Sequence, residues 1–268
     1  TKLLISALLR QPAPRRILMI GLGGCAVSNF LSRLYPQAII DVVEIDQKVI
    51  DISKKFFYLN ETLNYKVHHD DGRRFVRKMS DRKTYDLIYL DAFKSGSIPF
   101  HLKTIQFYED VNRVLSSGGV VGSNLYGESN LLKPNDWETF SGEFNRIYCF
   151  EDHGRRATVL FATNRIETWG MSHFIQAAKQ FPLSLPFSLV DMAKTYRAEK
   201  LEKDNGTVFE DDFTKDEFDR TIEKNNLDRT KSFFIRLKIL NNQEKELRGE
   251  GFLDVEKLNT VVAHIRYR

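Results

Sequence analysis

Cysteine is almost missing from this 268-residue chain, which has only Cys25 and Cys149. No CxxC pair and no Cys/His cluster occurs, which argues against a disulfide framework, a structural zinc site and any other metal centre. No apolar run approaches the length of a membrane span and no signal peptide is visible. No membrane association is expected, and the default compartment is cytoplasmic. Charge of one sign is also scarce: the net charge is only +4, with a pI near 8.9, and Lys and Arg are interspersed with Asp and Glu. Without a dense basic stripe interleaved with aromatics, nucleic acid is not favoured as a partner. There is no internal repeat and no low-complexity tract. What is present, 42% hydrophobic and 28% charged residues, suits a globular chain with one large domain and an appendage, or two small domains. The chain opens at Thr1 without a methionine, from which an earlier natural start is expected.

The most informative stretch is ILMIGLGGCA, Ile17 to Ala26. Four apolar residues predict a buried strand, and Gly21, Gly23 and Gly24 predict a turn that brings bare backbone close to a ligand. Val27, Phe30, Leu31 and Leu34 then share one helix face. A strand, a glycine turn and a helix N-terminus form a nucleotide cradle, because amide groups and the helix dipole point at the ligand. The next strand, Ala38 to Val43, ends in Glu44 with Ile45 beside it, about twenty residues after the turn. A carboxylate there can accept both ribose hydroxyls. The spacing serves NAD and S-adenosyl nucleotides alike.

The order of elements separates the two. After an apolar helix at Leu3 to Leu9, the first 165 residues alternate strand and helix, predicting a doubly wound, Rossmann-like α/β fold with a parallel sheet. Strands are expected at 17–20, 38–44, 65–69, 86–90 and 120–125, with helices at 47–59, 73–79 and about 102–115, the last stopped by Gly118 and Gly119. Arg146 to Phe150 and Ala157 to Ala162, joined by a short polar turn, then predict an antiparallel hairpin. A dinucleotide-binding fold would continue with parallel units, whereas an S-adenosylmethionine-type fold ends in this way. Residues 166–268 read as a mostly helical C-terminal extension, with helical periodicity at 170–180, 189–201, 215–225, 230–247 and 255–266. The expected domains are therefore 1–165, nucleotide-binding, and 166–268.

In an open parallel sheet the ligand binds outside the carboxyl ends of the strands. The first four strands end in the glycine turn, Glu44, Asp71 with Gly72, and Asp91. Glu44 would hold the ribose, Asp71 would accept from the adenine amino group, and Asp91 would face the reacting centre. Each Asp is equally suited to capping the helix that follows it. Tyr126, just past the fifth strand, and His101, in the loop after the fourth, are candidates for contact with the second substrate. Ser95, Gly96 and Ser97 predict a flexible gate there.

Taken together, ILMIGLGGCA, VVEID, HHDDG, YDLIYLDAF with SIPFHLKTIQFY, and SSGGVVGSNL resemble the spermidine synthase family, the polyamine aminopropyltransferases, and related class I methyltransferases. The resemblance covers roughly residues 1–165, with a weaker likeness in the acidic EDDF at Glu210 to Phe213. It implies a class I methyltransferase-type fold and decarboxylated S-adenosylmethionine or S-adenosylmethionine as co-substrate. It also implies a small-molecule amine as acceptor, and Asp91 as the base that deprotonates it. Two positions depart from the pattern: family members carry an aspartate where this chain has Gly24, and a second aspartate three residues after Asp91, where this chain has Lys94. The small β domain that precedes the nucleotide fold in that family is absent from this sequence. Aminopropyl transfer is the first expectation, methyl transfer the alternative, and a non-catalytic nucleotide-binding scaffold the third. A homodimer is left open.

Overall fold

The computed structural model of the protein describes residues 2–80, 84–93, 98–126, 134–152, 157–198 and 206–212. These fall in one compact unit, Thr1–Asn226, while a second unit, Leu227–Arg268, lies outside them together with the helices expected over 215–225, 230–247 and 255–266.

Eight strands form one sheet. In chain order they are β1 (Arg16–Ile20), β2 (Ile39–Glu44), β3 (Tyr65–His69), β4 (Tyr85–Leu90), β5 (Leu115–Tyr126), β6 (Arg146–Asp152), β7 (Ala157–Thr163) and β8 (Tyr196–Arg197). The spatial order is β3-β2-β1-β4-β5-β7-β6-β8. Strands β1 to β5 pair in parallel, and β7, β6 and β8 add antiparallel ladders. This is the expected doubly wound sheet with an antiparallel ending. From β1 the chain winds outward through β2 to β3, then returns to the other side of β1 for β4 and β5. The crevice opens at that reversal, over the C-terminal ends of β1 and β4.

The alternation of side chains along β1 explains why both faces are covered. Ile17 and Met19 face one core, and Leu18 and Ile20 the other. On the first face lie α1 (Ala26–Leu34), α2 (Gln47–Phe56), α6 (Met171–Lys179), α7 (Leu189–Ala193) and the N-terminal segment Lys2–Leu9. The second face is covered by α3 (Gly72–Met79), α4 (Ile105–Arg113) and α5 (Pro134–Glu143). No helix among the described residues is long and apolar enough to cross a membrane.

Several elements differ from the sequence expectation. Lys2–Leu9 is a 3-10 helix, and every residue from Leu3 to Leu9 is buried, so periodicity carries no information about its type. The helix expected over 102–115 splits into a 3-10 turn at Phe100–Leu102 and α4, because Thr104 accepts the Phe107 N–H and caps a new start. Gly118 and Gly119 do not stop a helix; they lie inside β5, where a Cβ on Gly119 would stand 2.6 Å from the Leu115 side chain. The 189–201 helix shortens to α7, and Tyr196–Arg197 instead extends the sheet beside β6. Helix α2 ends at Phe56, before Tyr58 takes a positive φ of 57°.

A buried ion pair ties a late segment to this core. The Arg73 guanidinium, fully buried in α3, donates from Nη1 and Nη2 to the two oxygens of Asp211 at 2.7 and 2.6 Å, with Asp110 3.5 Å from Nε. The Asp211 N–H bonds Gln106 and the Phe209 N–H bonds Thr139, so residues 206–212 lie across the starts of α4 and α5.

The N-terminal 3-10 helix contributes some of the most buried side chains, Leu4 and Leu8 among them. Leu8→Ala is expected to destabilise the protein by about 2–5 kcal/mol through the cavity it leaves. The measurement is a lowered urea midpoint at unchanged slope.

Candidate active site

The glycine turn is shaped by one close approach. Gly21 has φ +97°, and a Cβ there would stand 2.5 Å from the Asp91 carbonyl oxygen, so no other residue lets the ends of β1 and β4 come this near. Gly23 has φ +51° with open space around it, and Gly24 faces only the Phe57 ring. Cys25 takes φ 47° at the start of α1, with its side chain buried against the Phe57 carbonyl.

Glu44 fixes this turn to β2. Its Oε2 accepts the Leu22 N–H and its Oε1 the Asp46 N–H, both at 3.0 Å, with the side chain 5% exposed. These bonds orient the group from both oxygens. The neighbouring Ile45 is half-buried, and its carbonyl accepts from His69 at 3.1 Å.

At the end of β3 the two aspartates divide their roles. Asp70 pairs with Lys78 and Arg74 at the surface. Asp71 is buried and caps α3, its Oδ1 accepting the Arg73 and Arg74 N–H groups at 3.0 Å, while Oδ2 bonds His101 Nε2 at 2.9 Å. Burial alone would push the Asp71 carboxyl up, but the His101 and backbone bonds outweigh it and hold the group below its ordinary value. His101 is therefore buried against Asp71, on the side of the β3 end, instead of standing open over the β4 end. Gly72 is required by packing: a Cβ there would meet the Ile20 side chain.

Asp91, partly exposed, follows β4. Its Oδ1 accepts from Asn124 Nδ2 at 2.7 Å. Burial pushes its carboxyl above the ordinary range, against the opposing pull of the Asn124 bond. The two aspartates are thus driven in opposite directions. Donors lower the one and burial raises the other. Beside Asp91 lies a small, mostly apolar hollow lined by Ile20, Leu90, Ala92, Ile98, Leu102, Phe107 and Ser123.

The structure brings Gly21, Gly23, Glu44, Ile45, Asp71, Gly72 and Asp91 onto adjacent strand ends. Tyr126 closes β5 opposite Ala157, but its side chain lies outside the described residues, as do Lys94 and the expected gate at 95–97. Sequence reasoning missed Asn124, Ile98 and Leu102. The apolar positions in SIPFHL were a usable signal for the last two. Asn124 becomes visible only through the register that pairs Leu90 with Ser123 and so sets Asn124 beside Asp91.

Residues 2–145 match the Spermine/spermidine synthase domain. A polyamine aminopropyltransferase of Vibrio vulnificus is 35% identical over 167 residues, which is 61% of this chain and 56% of that protein, so the chain spans little more than half of this relative. Among solved structures, human methyltransferase-like protein 13 in complex with SAH superposes with a TM-score of 0.61 at 22% identity, covering 75% of this chain and 95% of that one. A probable spermidine synthase from Corynebacterium glutamicum gives a TM-score of 0.61 at 19% identity, covering 80% of each chain. At these identities the two structures establish a shared class I methyltransferase-like α/β fold.

The Asp71–His101 pair generates a pH-dependent expectation. A carboxyl depressed in the folded state stabilises above its unfolded pKa of about 3.9 and loses that contribution as pH falls through the folded value. His101→Leu is expected to cost about 1–3 kcal/mol at pH 7. The deficit, followed by urea unfolding, should narrow as the pH is taken below about 4.

Proposed function

Because this chain belongs to the spermine/spermidine synthase family, we propose that it is a transferase that moves an aminopropyl group from decarboxylated S-adenosylmethionine to a small amine, with Asp91 as base. The observation that carries this reading is the placement of Asp91. It stands partly exposed at the C-terminal end of β4, its carbonyl against Gly21 and its carboxylate oriented by Asn124.

In this reading the backbone of Gly21 to Gly24 and the carboxylate of Glu44 hold the nucleoside, with Glu44 accepting from the ribose hydroxyls. Asp71, whose oxygens are engaged by α3 and His101, acts on the adenine side by fixing the first turn at Gly72 and the loop that carries His101. Tyr126 stands at the end of β5, on the acceptor side.

An amine attacks only when unprotonated. Asp91 attracts the ammonium, takes one proton and frees the nitrogen lone pair. The nitrogen then bonds to the aminopropyl carbon attached to the sulfonium. The carbon–sulfur bond breaks with its electron pair passing to sulfur, leaving a neutral thioether nucleoside. Since the sulfonium is already an activated leaving group, positioning supplies much of the remaining rate.

One observation favours a second reading, methyl transfer from S-adenosylmethionine itself. Gly24 has no side chain, so no carboxylate at that position repels a donor that keeps its own. Calorimetry with the two donors separates the readings. Tighter binding of decarboxylated S-adenosylmethionine is expected, tighter binding of S-adenosylmethionine transfers the assignment to methyl transfer, and binding of neither leaves a scaffold.

Replacing the base separates chemistry from stability. Asp91→Asn is expected to abolish turnover while nucleoside affinity stays within about three-fold, because the ribose and adenine contacts are untouched. A carboxyl raised by burial destabilises the folded state as pH rises above its unfolded pKa. The variant should therefore melt higher than the parent at pH 7, and a full-activity variant would rule out the role of Asp91. Glu44→Ala should instead weaken nucleoside binding by about 1–3 kcal/mol, measured in the same titrations.

A further inference from the structure

Residues 206–212 take no part in the chemistry set out above, and they lie well beyond residue 145, where the family match ends. Their side chains alternate as in an extended chain, with Phe209 and Asp211 half-buried and Val208, Glu210 and Asp212 exposed. The backbone is anchored four times. The Thr207, Phe209 and Asp211 N–H groups bond Asn135, Thr139 and Gln106, and the Phe209 carbonyl accepts the Ile105 N–H at 2.8 Å. What the segment grips is the turn Phe100–Leu102, and it does so from two sides. Outside, the Phe209 ring meets the Phe100 ring edge-on at 5.5 Å, and Lys103 Nζ stands 5.1 Å from the Phe209 centroid. Inside, Asp211 orients the Arg73 guanidinium, whose Nη1 also donates to the His101 carbonyl at 3.3 Å and to Thr104 Oγ1 at 3.4 Å.

We infer that residues 206–212 are a positioning element of the nucleoside site, acting through Arg73 and the Phe100–Leu102 turn, with Asp211 as the residue that sets the geometry. This rests on the nucleoside-binding reading above and adds to it a group from outside the matched domain. A buried ion pair gains little net stability over apolar packing, and its distinctive property is a planar fork held in one orientation. The turn it holds behaves as a unit, because the Leu102 and Lys103 N–H groups bond the Pro99 and Phe100 carbonyls. That unit carries His101 onto Asp71 and Leu102 into the wall of the hollow beside Asp91. Without the Asp211 carboxylate the guanidinium turns towards Asp110, 3.5 Å from its Nε, and the His101 carbonyl loses this donor. Asp71 and the hollow then lose their fixed supports together. A late segment that touches no ligand thus governs how tightly one is held.

The test uses the full chain, titrated calorimetrically with 5′-methylthioadenosine and with S-adenosylhomocysteine, the nucleosides that aminopropyl and methyl transfer leave behind. Each variant is titrated at a temperature where circular dichroism shows it folded. Asp211→Ala should weaken whichever nucleoside the parent binds by at least about ten-fold. Phe209→Ala, which leaves the ion pair in place, should weaken it by about three-fold. Asp211→Glu keeps the charge and should return affinity to within about three-fold of the parent. Leu8→Ala destabilises through the other core and should leave affinity within about two-fold, which separates positioning from mere loss of stability. Should Asp211→Ala fail to fold, Phe209→Ala carries the comparison. If the parent binds a nucleoside while the Asp211 and Phe209 variants match it, or while Leu8→Ala weakens binding as much as they do, the positioning role falls and the nucleoside site stands. A parent that binds neither nucleoside takes both readings down.

Discussion

The Glu44 carboxylate holds the ends of β1 and β2 in one fixed relation, and the rest of the site depends on that bond pair. By accepting the Leu22 and Asp46 N–H groups it pins the glycine turn on one side and the entry to α2 on the other. The turn so held lies against the Asp91 carbonyl, which sets how far β4 can extend before the chain departs. Bonds from Gly21 N–H to Val43 and from Asp91 N–H to Ile20 continue the sheet pattern past the nominal strand ends. The ends of β1, β2 and β4 are therefore tied to one another by hydrogen bonds beyond the ladder itself.

Along this rim, chemically similar carboxyl groups are given different work by their surroundings. Asp71 sits at a helix N-terminus with three donors, and its negative charge is the favoured form. Asp91 is less enclosed but has a single amide donor among the described residues, so burial still outweighs it. Distance along the sequence does not predict this difference. It arises because β3 runs directly into α3, whose first N–H groups bond Asp71, whereas among the described residues after β4 no backbone N–H bonds the Asp91 carboxylate.

Much of the fold was legible because hydrophobic period and turn chemistry agreed in the first five strands. The ILMIGLGG stretch, the strand ending in Glu44 and the antiparallel hairpin after Arg146 are local patterns, and each formed where its pattern placed it. The misreadings came where long-range packing decides. The sequence of Leu3 to Leu9 is apolar all round, so nothing in it distinguishes a 3-10 from an α-helix. Gly118 and Gly119 read as a helix stop, yet the neighbouring β4 draws the chain into a strand from Leu115. Asp71 was equally suited to capping or to ligand contact, and His101, thirty positions later, occupies its second oxygen. Asn124 carries no motif of its own inside VVGSNLY, and strand register alone sets it beside Asp91.

The Arg73–Asp211 pair carries a consequence for how this protein is made. During synthesis the guanidinium of α3 emerges long before Asp211 does, so at first it can meet Asp110, Thr104 and the His101 carbonyl but not its bidentate carboxylate. The bidentate contact forms only once residues 206–212 have left the ribosome. Maturation is thus tied to the completion of a distant part of the polypeptide, and a nascent chain halted before Gly206 would hold the strands β1 to β7 without the contact that ties residues 206–212 to α3.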